Sequence, residues 1–417
     1  MEPLLNRRIS RLAGELSTGF RILILNGPRQ AGKSTLMGLL HSQSGGTMVT
    51  LDDLEALRAS RSDPRGFVTG YPVPLFIDEV QRGGDPLVLS LKADADRNPN
   101  HFGRFILAGS SRFLTVPHLS ESLAGRAAIV DVWPFSQGEL SGGNDRLLDL
   151  AFGSTKDLRE LVVPYVSRTE AAARIVQGGF PAVRNMTSRL RDAWFETYLS
   201  TLTDRDLTEY RRPSRTVDVT RLTQLILGRT AQEVNAANIA SGLGITADTV
   251  RSYLGLTETI YLHHQLPAWT GGHTGRIIKR PKLHASDTGI AAYVLNATEQ
   301  SLAVPTSTAM GALFETFVVN EFAKQRTWSN TSARLFHYRE TSGAEIDLIV
   351  EARGGAIVAV EVKAARDVDE SDFRHLAALR DRLGDRFVNG LVIHLGEHPT
   401  SFGDRLTALP VSALWHA

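Results

Sequence analysis

The chain has 417 residues, too many for one ordinary core, so two to four domains are expected. Its composition, 42% apolar and 22% charged, is that of a globular protein, and no run approaches the roughly 18 apolar residues of a membrane span. The absence of cysteine excludes disulfides, thiolate zinc sites and cysteine nucleophiles, while the net charge of +1 indicates no partner by itself.

In chain order, "MEPLLNRRISRLAGEL" (1–16) reads as an amphipathic helix with its arginines on the polar side. It has no apolar core region or small-residue cleavage site, so no signal peptide is expected and the cytoplasm is the expected location. Five short apolar runs follow at 21–27, 46–53, 73–80, 104–110 and 127–135, separated by helix-length segments. That alternation predicts a parallel sheet with crossover helices, an α/β core over residues 1–140. Residues 141–210 lose the strand signal and read as a helical lid or linker, for example "RDAWFETYLSTLTDRDLTEY" (191–210). Residues 211–282 open with "RRPSR" and contain a helix–turn–helix rhythm. Strand patterns return in 283–417, at 333–339, 344–352, 356–364 and 388–395.

"GPRQAGKST" (27–35) lies between an apolar strand and a helical pattern, the context in which G-x-x-x-x-G-K-S carries meaning. Gly27 and Gly32 let the loop wrap phosphate with backbone N–H groups at a helix N-terminus. Lys33 is expected to reach the β- and γ-phosphates of ATP and Ser34 to ligate Mg²⁺. Gln30, Ala31 and Thr35 complete the expected contacts. In "PLFIDEV" (74–80), Asp78 fits the magnesium-orienting acid and Glu79 the base that positions the attacking water. The competing reading is a pair of carboxylates that cap the next helix. "LAGSSRF" (107–113) sets Ser110, Ser111 and Arg112 at a strand's carboxyl end, where ligands sit in open parallel sheets, and Ser110 is the candidate γ-phosphate sensor. Arg126 precedes the fifth strand and is favoured over Arg112 as the arginine that stabilises phosphoryl-transfer charge, in cis or from a neighbouring subunit.

With "LDD" (51–53), "RFILAGSSRF" (104–113) and "ESLAGR" (121–126), these motifs resemble a group of prokaryotic AAA-type ATPases that carry a C-terminal domain of unknown function. "GGFPAVR" (178–184), "YLSTLTDRDL" (198–207), "KLHASDTGI" (282–290) and "GALFETFVVNEF" (311–322) are similar to that family's second half. The resemblance spans nearly the whole chain and implies ATP binding and architecture more than a process. Completion of such cores by a neighbour's arginine makes a homo-oligomer an expected state.

"NAANIASGLGITADTVRSYLGLTETIYLHHQLPAW" (235–269) has the rhythm of a winged helix, with Ile239 and Leu243 apolar, Gly242 and Gly244 in the turn, and Thr246 capping the second helix. Residues 211–282 hold ten Lys/Arg against four Asp/Glu. In one reading Arg251 and the Thr246–Thr249 face enter a DNA groove while Arg276, Lys279, Arg280 and Lys282 grip phosphate. In the other, the module packs against protein and its charges are solvated.

In "GGAIVAVEVKAARD" (354–367) a strand pattern puts Glu361 and Lys363 on one face. Asp347 in "AEIDLIVEA" lies 14 positions earlier, on an expected neighbouring strand joined through "ARGG" (352–355), and Glu315 sits on an upstream helix. Glu315, Asp347, Glu361 and Lys363 in this order resemble the PD-(D/E)xK core, a restriction-endonuclease-like fold. That resemblance implies carboxylates that hold Mg²⁺ or Mn²⁺ and a lysine that assists the nucleophile. The bland alternative is a cross-strand acid–lysine pair on a sheet face. His263, His264 and His337 are read as packing residues rather than ligands.

Two functions follow as expectations. One is a Mg-dependent ATPase coupled to binding or processing of DNA or other nucleic acid through the C-terminal domain. The other is an ATP-dependent regulatory switch acting on a protein partner, with the nuclease-like domain inactive. A helicase-like motor is disfavoured because only one nucleotide motif is present. No membrane association is expected.

Overall fold

In the computed structural model the described residues are 4–110, 123, 125–206, 218–271, 280–341 and 343–417. The chain divides into two compact units, residues 1–135 with 259–261, and residues 136–258 with 262–417. Among the described residues no helix is long and apolar enough to cross a membrane.

In the first unit, β1 (Ile22–Asn26), β2 (Thr47–Thr50), β3 (Leu75–Asp78), β4 (Phe105–Gly109) and β5 (Ala127–Asp131) form one sheet in the order β2-β3-β4-β1-β5. Every pairing is parallel, as the alternating pattern predicts. β1 and β4 are apolar and buried along their whole length, because crossover segments cover both faces of a parallel sheet. Ile22, Ile24, Leu75, Ile77, Phe105 and Leu107 pack with Leu87, Val88 and Leu91 of the helix Gly84–Arg97. Parallel strands gather their carboxyl ends at one edge, and Asn26 aligns there with Gly109 and Asp131.

The N-terminal helix departs from expectation at one arginine. The helix starts at Ile9; Arg8 and Arg11 are exposed as expected, but Arg7 is buried. Its guanidinium donates to the carbonyls of Ala31 (2.7 Å) and Trp133 (2.5 Å) and sits 4.7 Å from the centre of the Phe135 ring.

The second unit holds two sheets. β6 (Gln232–Glu233), β7 (His263–Leu266) and β8 (Lys282–Ala285) form a small antiparallel sheet with β8 central. Helices Val219–Leu227, Ala236–Leu243 and Ala247–Thr259 pack on it through Leu222, Ile226, Ile239, Val250, Tyr253 and Leu283. Thr246 caps the last of these, its hydroxyl accepting the Thr249 N–H at 3.1 Å. Gly242, expected in the turn, is helical, and Gly244 alone turns the chain, at φ 65°. The "RRPSR" stretch, Arg276 and Lys279 lie outside the described residues.

The larger sheet runs β13-β14-β12-β11-β10-β9. It comprises β9 (Ala333–Arg339), β10 (Glu345–Ala352), β11 (Ile357–Lys363), β12 (Phe387–His394), β13 (Thr400–Ser401) and β14 (Leu406–Pro410). β9, β10 and β11 form an antiparallel meander, while β11, β12 and β14 are parallel. The turn expected at 352–355 closes β10 onto β11, with Gly355 at φ 85° and its N–H on the Ala352 carbonyl. Beyond β9, Pro267–Trp269 pairs with His337, with N–H···O distances of 2.6 and 2.9 Å.

The helix Thr308–Gln325, which carries Glu315, is buried along its second half, residues 316–325. Its polar groups are therefore paired. Glu321 takes the Gln137 N–H (2.9 Å), and Gln325 bridges the Leu148 N–H (2.9 Å) and the Leu414 carbonyl (2.5 Å). Asp287 is a second joint. Its carboxylate accepts the N–H groups of Gly179 (2.7 Å), Gly289 (2.9 Å) and Ile290 (3.3 Å). The motifs "GGFPAVR" and "KLHASDTGI" thus meet in the fold.

Candidate functional site

At the carboxyl edge of the first sheet, the loop after β1 turns sharply into the helix Lys33–Ser44. Gly27 has φ 151°, and a Cβ there would lie 2.2 Å from the Val132 carbonyl oxygen. Gly32, at φ 95°, begins the helix. Between them Ala31 is buried and Gln30 is exposed at φ 60°, while Ser34 and Thr35 on the first helical turn face solvent.

Lys33 is buried and folded back on its own loop, donating to the carbonyls of Gly27 (2.9 Å) and Pro28 (2.7 Å). Burial draws its ammonium down to about 8, against the pull of Glu79 and Asp78. Ser34 Oγ donates to Asp78 Oδ2 at 2.5 Å, so the two oxygens that a magnesium ion would use already face each other. An all-oxygen pair beside an anion-binding loop fits a hard cation.

Asp78 does not cap the following helical turn; its other oxygen takes only the Glu79 N–H, at 3.0 Å. Glu79 occupies the left-handed region (φ 52°, ψ 40°), an uncommon state for a non-glycine residue and one associated with functional sites. Its carboxylate accepts the Gln81 amide and the Ser110 hydroxyl (3.2 Å), and Gln81 also reaches Ser110 Oγ at 3.2 Å. Gln81 was not singled out in the sequence. Arg7, which ties the loop to the chain beyond β5, was also missed, and only its position beside a run of helical pattern hinted at it.

Arg126 is at the other edge of the sheet. It directly precedes β5, which runs parallel to β1, so the length of a strand separates it from the loop. Its guanidinium holds Asp96 through contacts of 2.5 and 3.0 Å. This corrects the expectation of a role in cis: Arg126 does not reach a nucleotide bound at its own loop. Ser111 and Arg112 lie outside the described residues.

In the second unit the four residues singled out around the larger sheet do converge, with a fifth and sixth. Asp347 and Glu361 are on neighbouring strands and interact electrostatically, as do Glu315 and Asp347. Lys363 Nζ is 3.0 Å from Glu361 Oε1. Lys282, from β8, stands among the acids, 2.6 Å from Glu315, 2.9 Å from Glu345 and 3.2 Å from Asp347. Burial lowers the Lys282 ammonium, but Glu315, Asp347 and Glu345 override it and hold the proton well above the ordinary lysine range. Burial, then repulsion from Asp347, pushes Glu361 up to about 8 despite Lys363. Among the described residues no group of three His, Asp or Glu side chains is arranged to hold a metal ion. The acids expected to hold Mg²⁺ or Mn²⁺ here face an internal ammonium, that of Lys282. His263, His264 and His337 are engaged in packing contacts, with Thr257, Asn320 and the Arg280 carbonyl.

The parallel sheet and its glycine loop have the arrangement of a P-loop core, and residues 19–141 match the family model described as an AAA domain. Residues 168–301 and 310–414 match two domains of unknown function, DUF8612 and DUF4143. The chain is similar to uncharacterized protein Rv2008c of Mycobacterium tuberculosis and uncharacterized protein Mb2031c of Mycobacterium bovis. Each is 28% identical over 400 residues, which cover 94% of this chain and 80% of the relative. Among solved structures, a RuvB variant of Thermotoga maritima is 20% identical with a TM-score of 0.30, covering 62% of this chain and 87% of that one. AMPPCP-bound DnaA from Aquifex aeolicus is 12% identical with a TM-score of 0.28, covering 60% and 86%.

Proposed function

We propose that this chain is a Mg-ATP-hydrolysing switch. The observation that carries the reading is the 2.5 Å contact of Ser34 with Asp78, set between a helix N-terminus and Glu79. Lys33 leaves its loop carbonyls for the β- and γ-phosphates, and the backbone N–H groups from Gln30 to Thr35 cradle the phosphates. Ser34 and Asp78 would hold Mg²⁺, which supplies charge neutralisation at the phosphates when bound. Glu79 orients and deprotonates the attacking water, with Ser110 beside it to sense the γ-phosphate. Gln81 and Ser110 hold the Glu79 carboxylate, so activation requires that clasp to loosen. Arg126 is left for the site of a second copy of the chain.

Nucleotide-binding assays and phosphate release test this reading. Lys33→Ala is expected to abolish ATP binding, and Glu79→Gln to keep binding while hydrolysis falls at least a hundredfold. Turnover at the wild-type rate in Glu79→Gln would remove Glu79 as the base.

For the second unit, the helix–helix–ribbon order supports a winged-helix-like module and the larger sheet a nuclease-like shape, so coupling to nucleic acid is one reading. A specific observation counts against that reading. Arg251, the cation expected to enter a groove, is held by Asp248 at 2.5 Å on the exposed face of the Ala247–Thr259 helix. Binding of labelled duplex DNA that weakens steeply with salt would restore the nucleic-acid reading.

A further inference from the structure

β8 is the central strand of the small sheet, and Lys282 at its start is fixed there by pairing with Glu233 on one side and Leu266 on the other. Its side chain is 4% exposed and points among acids from two other elements. Glu315 comes from the helix Thr308–Gln325, and Glu345 and Asp347, two positions apart on β10, share a face. An ammonium has three N–H donors, and here three carboxylates stand at 2.6, 2.9 and 3.2 Å. The donors and acceptors match in number.

Both oxygens of the central aspartate are also engaged. Asp347 Oδ1 faces Lys282 and Oδ2 accepts the Val362 N–H at 3.0 Å, so neither oxygen of the central aspartate is spare. Glu361 Oε1 faces Lys363, and its Oε2 is buried without a hydrogen-bond partner. A divalent cation bonded at about 2.1 Å to Glu315 and Asp347 would overlap the ammonium that contacts both, and would be repelled by it.

We propose that Lys282 is the resident cation of this centre, in the position a divalent metal would require. The larger sheet then carries a charge lock in place of a metal-dependent hydrolytic site. The lock fastens the β6–β8–β7 sheet to the Thr308–Gln325 helix and to β10. Lys363 sits outside it, shared between Glu361 and, at 3.6 Å, Asp372. This assignment is independent of the ATPase reading.

The test is manganese binding by the nucleotide-free full chain, counted from the electron paramagnetic resonance of free Mn²⁺. In the wild type, binding is expected to be unchanged by Asp347→Asn or Glu361→Gln. Lys282→Ala is expected to gain one Mn²⁺ site in the range of about 0.1–1 mM, with a melting temperature that rises on adding Mn²⁺. Lys282→Met keeps the stem and serves if the alanine variant does not fold. A wild-type site lost in Asp347→Asn or Glu361→Gln overturns the proposal. So does a folded Lys282 variant that binds no more Mn²⁺ than the wild type.

Discussion

Lys33 is buried with its amine against two carbonyls of its own loop, and this makes nucleotide binding sensitive to pH. Without nucleotide its ammonium titrates near 8, whereas beside phosphates it stays charged. Binding above that pH must therefore take up a proton. The affinity for ATP is expected to fall as pH rises, by roughly tenfold per unit above about 8, and calorimetry in buffers of different ionisation enthalpy would register the uptake. Glu361 works with the opposite sign. Its folded value near 8 lies above the ordinary carboxyl value, so between the two the folded chain keeps a proton that the unfolded chain has released. Its contribution is whole at acid pH and fades as pH climbs through that window. Glu361→Gln should flatten the dependence and stabilise the second unit on the order of 2 kcal/mol at pH 8.5, read from urea unfolding at pH 5 and 8.5. The sequence exposed these two residues unequally. The nucleotide loop was legible because its chemistry lies within nine consecutive residues. The surroundings of Glu361 were not, because Lys282 comes from a different sheet far back in the chain, and in the sequence it read as one of several cations that would grip phosphate.

At the scale of elements, apolar runs and turn chemistry read well for strands. All five strands of the first sheet and β9 to β12 fall where apolar runs and turn residues put them. The burial of the Thr308–Gln325 helix was not legible, because it is decided by what packs around it, and its Asn320, Glu321 and Gln325 bond to distant segments. The motif pair around Asp287 is a related case. A conspicuous "SDTGI" suggests chemistry, yet the carboxylate spends its oxygens on three backbone N–H groups that join two helical segments. Gly178 is confined by it, since a Cβ there would meet Asp287 Oδ1 at 2.2 Å. Asp287→Ala leaves those donors unpaired in a buried joint, and should destabilise the second unit by about 3 kcal/mol, measured by chemical denaturation, without altering Lys33 chemistry.

For the whole molecule, two compact units mean that one unfolding midpoint is not the expectation. Calorimetry should resolve two transitions. A non-hydrolysable ATP analogue with Mg²⁺ is expected to raise only one, by RT ln(1 + [L]/Kd), or about 2.7 kcal/mol at a hundredfold excess over Kd. Lys33→Ala should cancel that rise and leave the other transition in place. A single transition that moves as one body with nucleotide would mean that the units unfold together.

The borders of the larger sheet have a consequence for solubility. An open sheet ends in unpaired N–H and C=O groups that can template another chain. Here one border is β13, only two residues long, with Thr400 and Ser401 exposed. The other is β9, where Pro267–Trp269 pairs with His337 and Arg339 adds a charge. A proline cannot donate to a ladder, so the covering segment is itself a poor template. Six strands with so much apolar surface thus end in a stub on one side and a blunted seam on the other. Loosening the 267–269 seam would show first as aggregation, ahead of any change in catalysis.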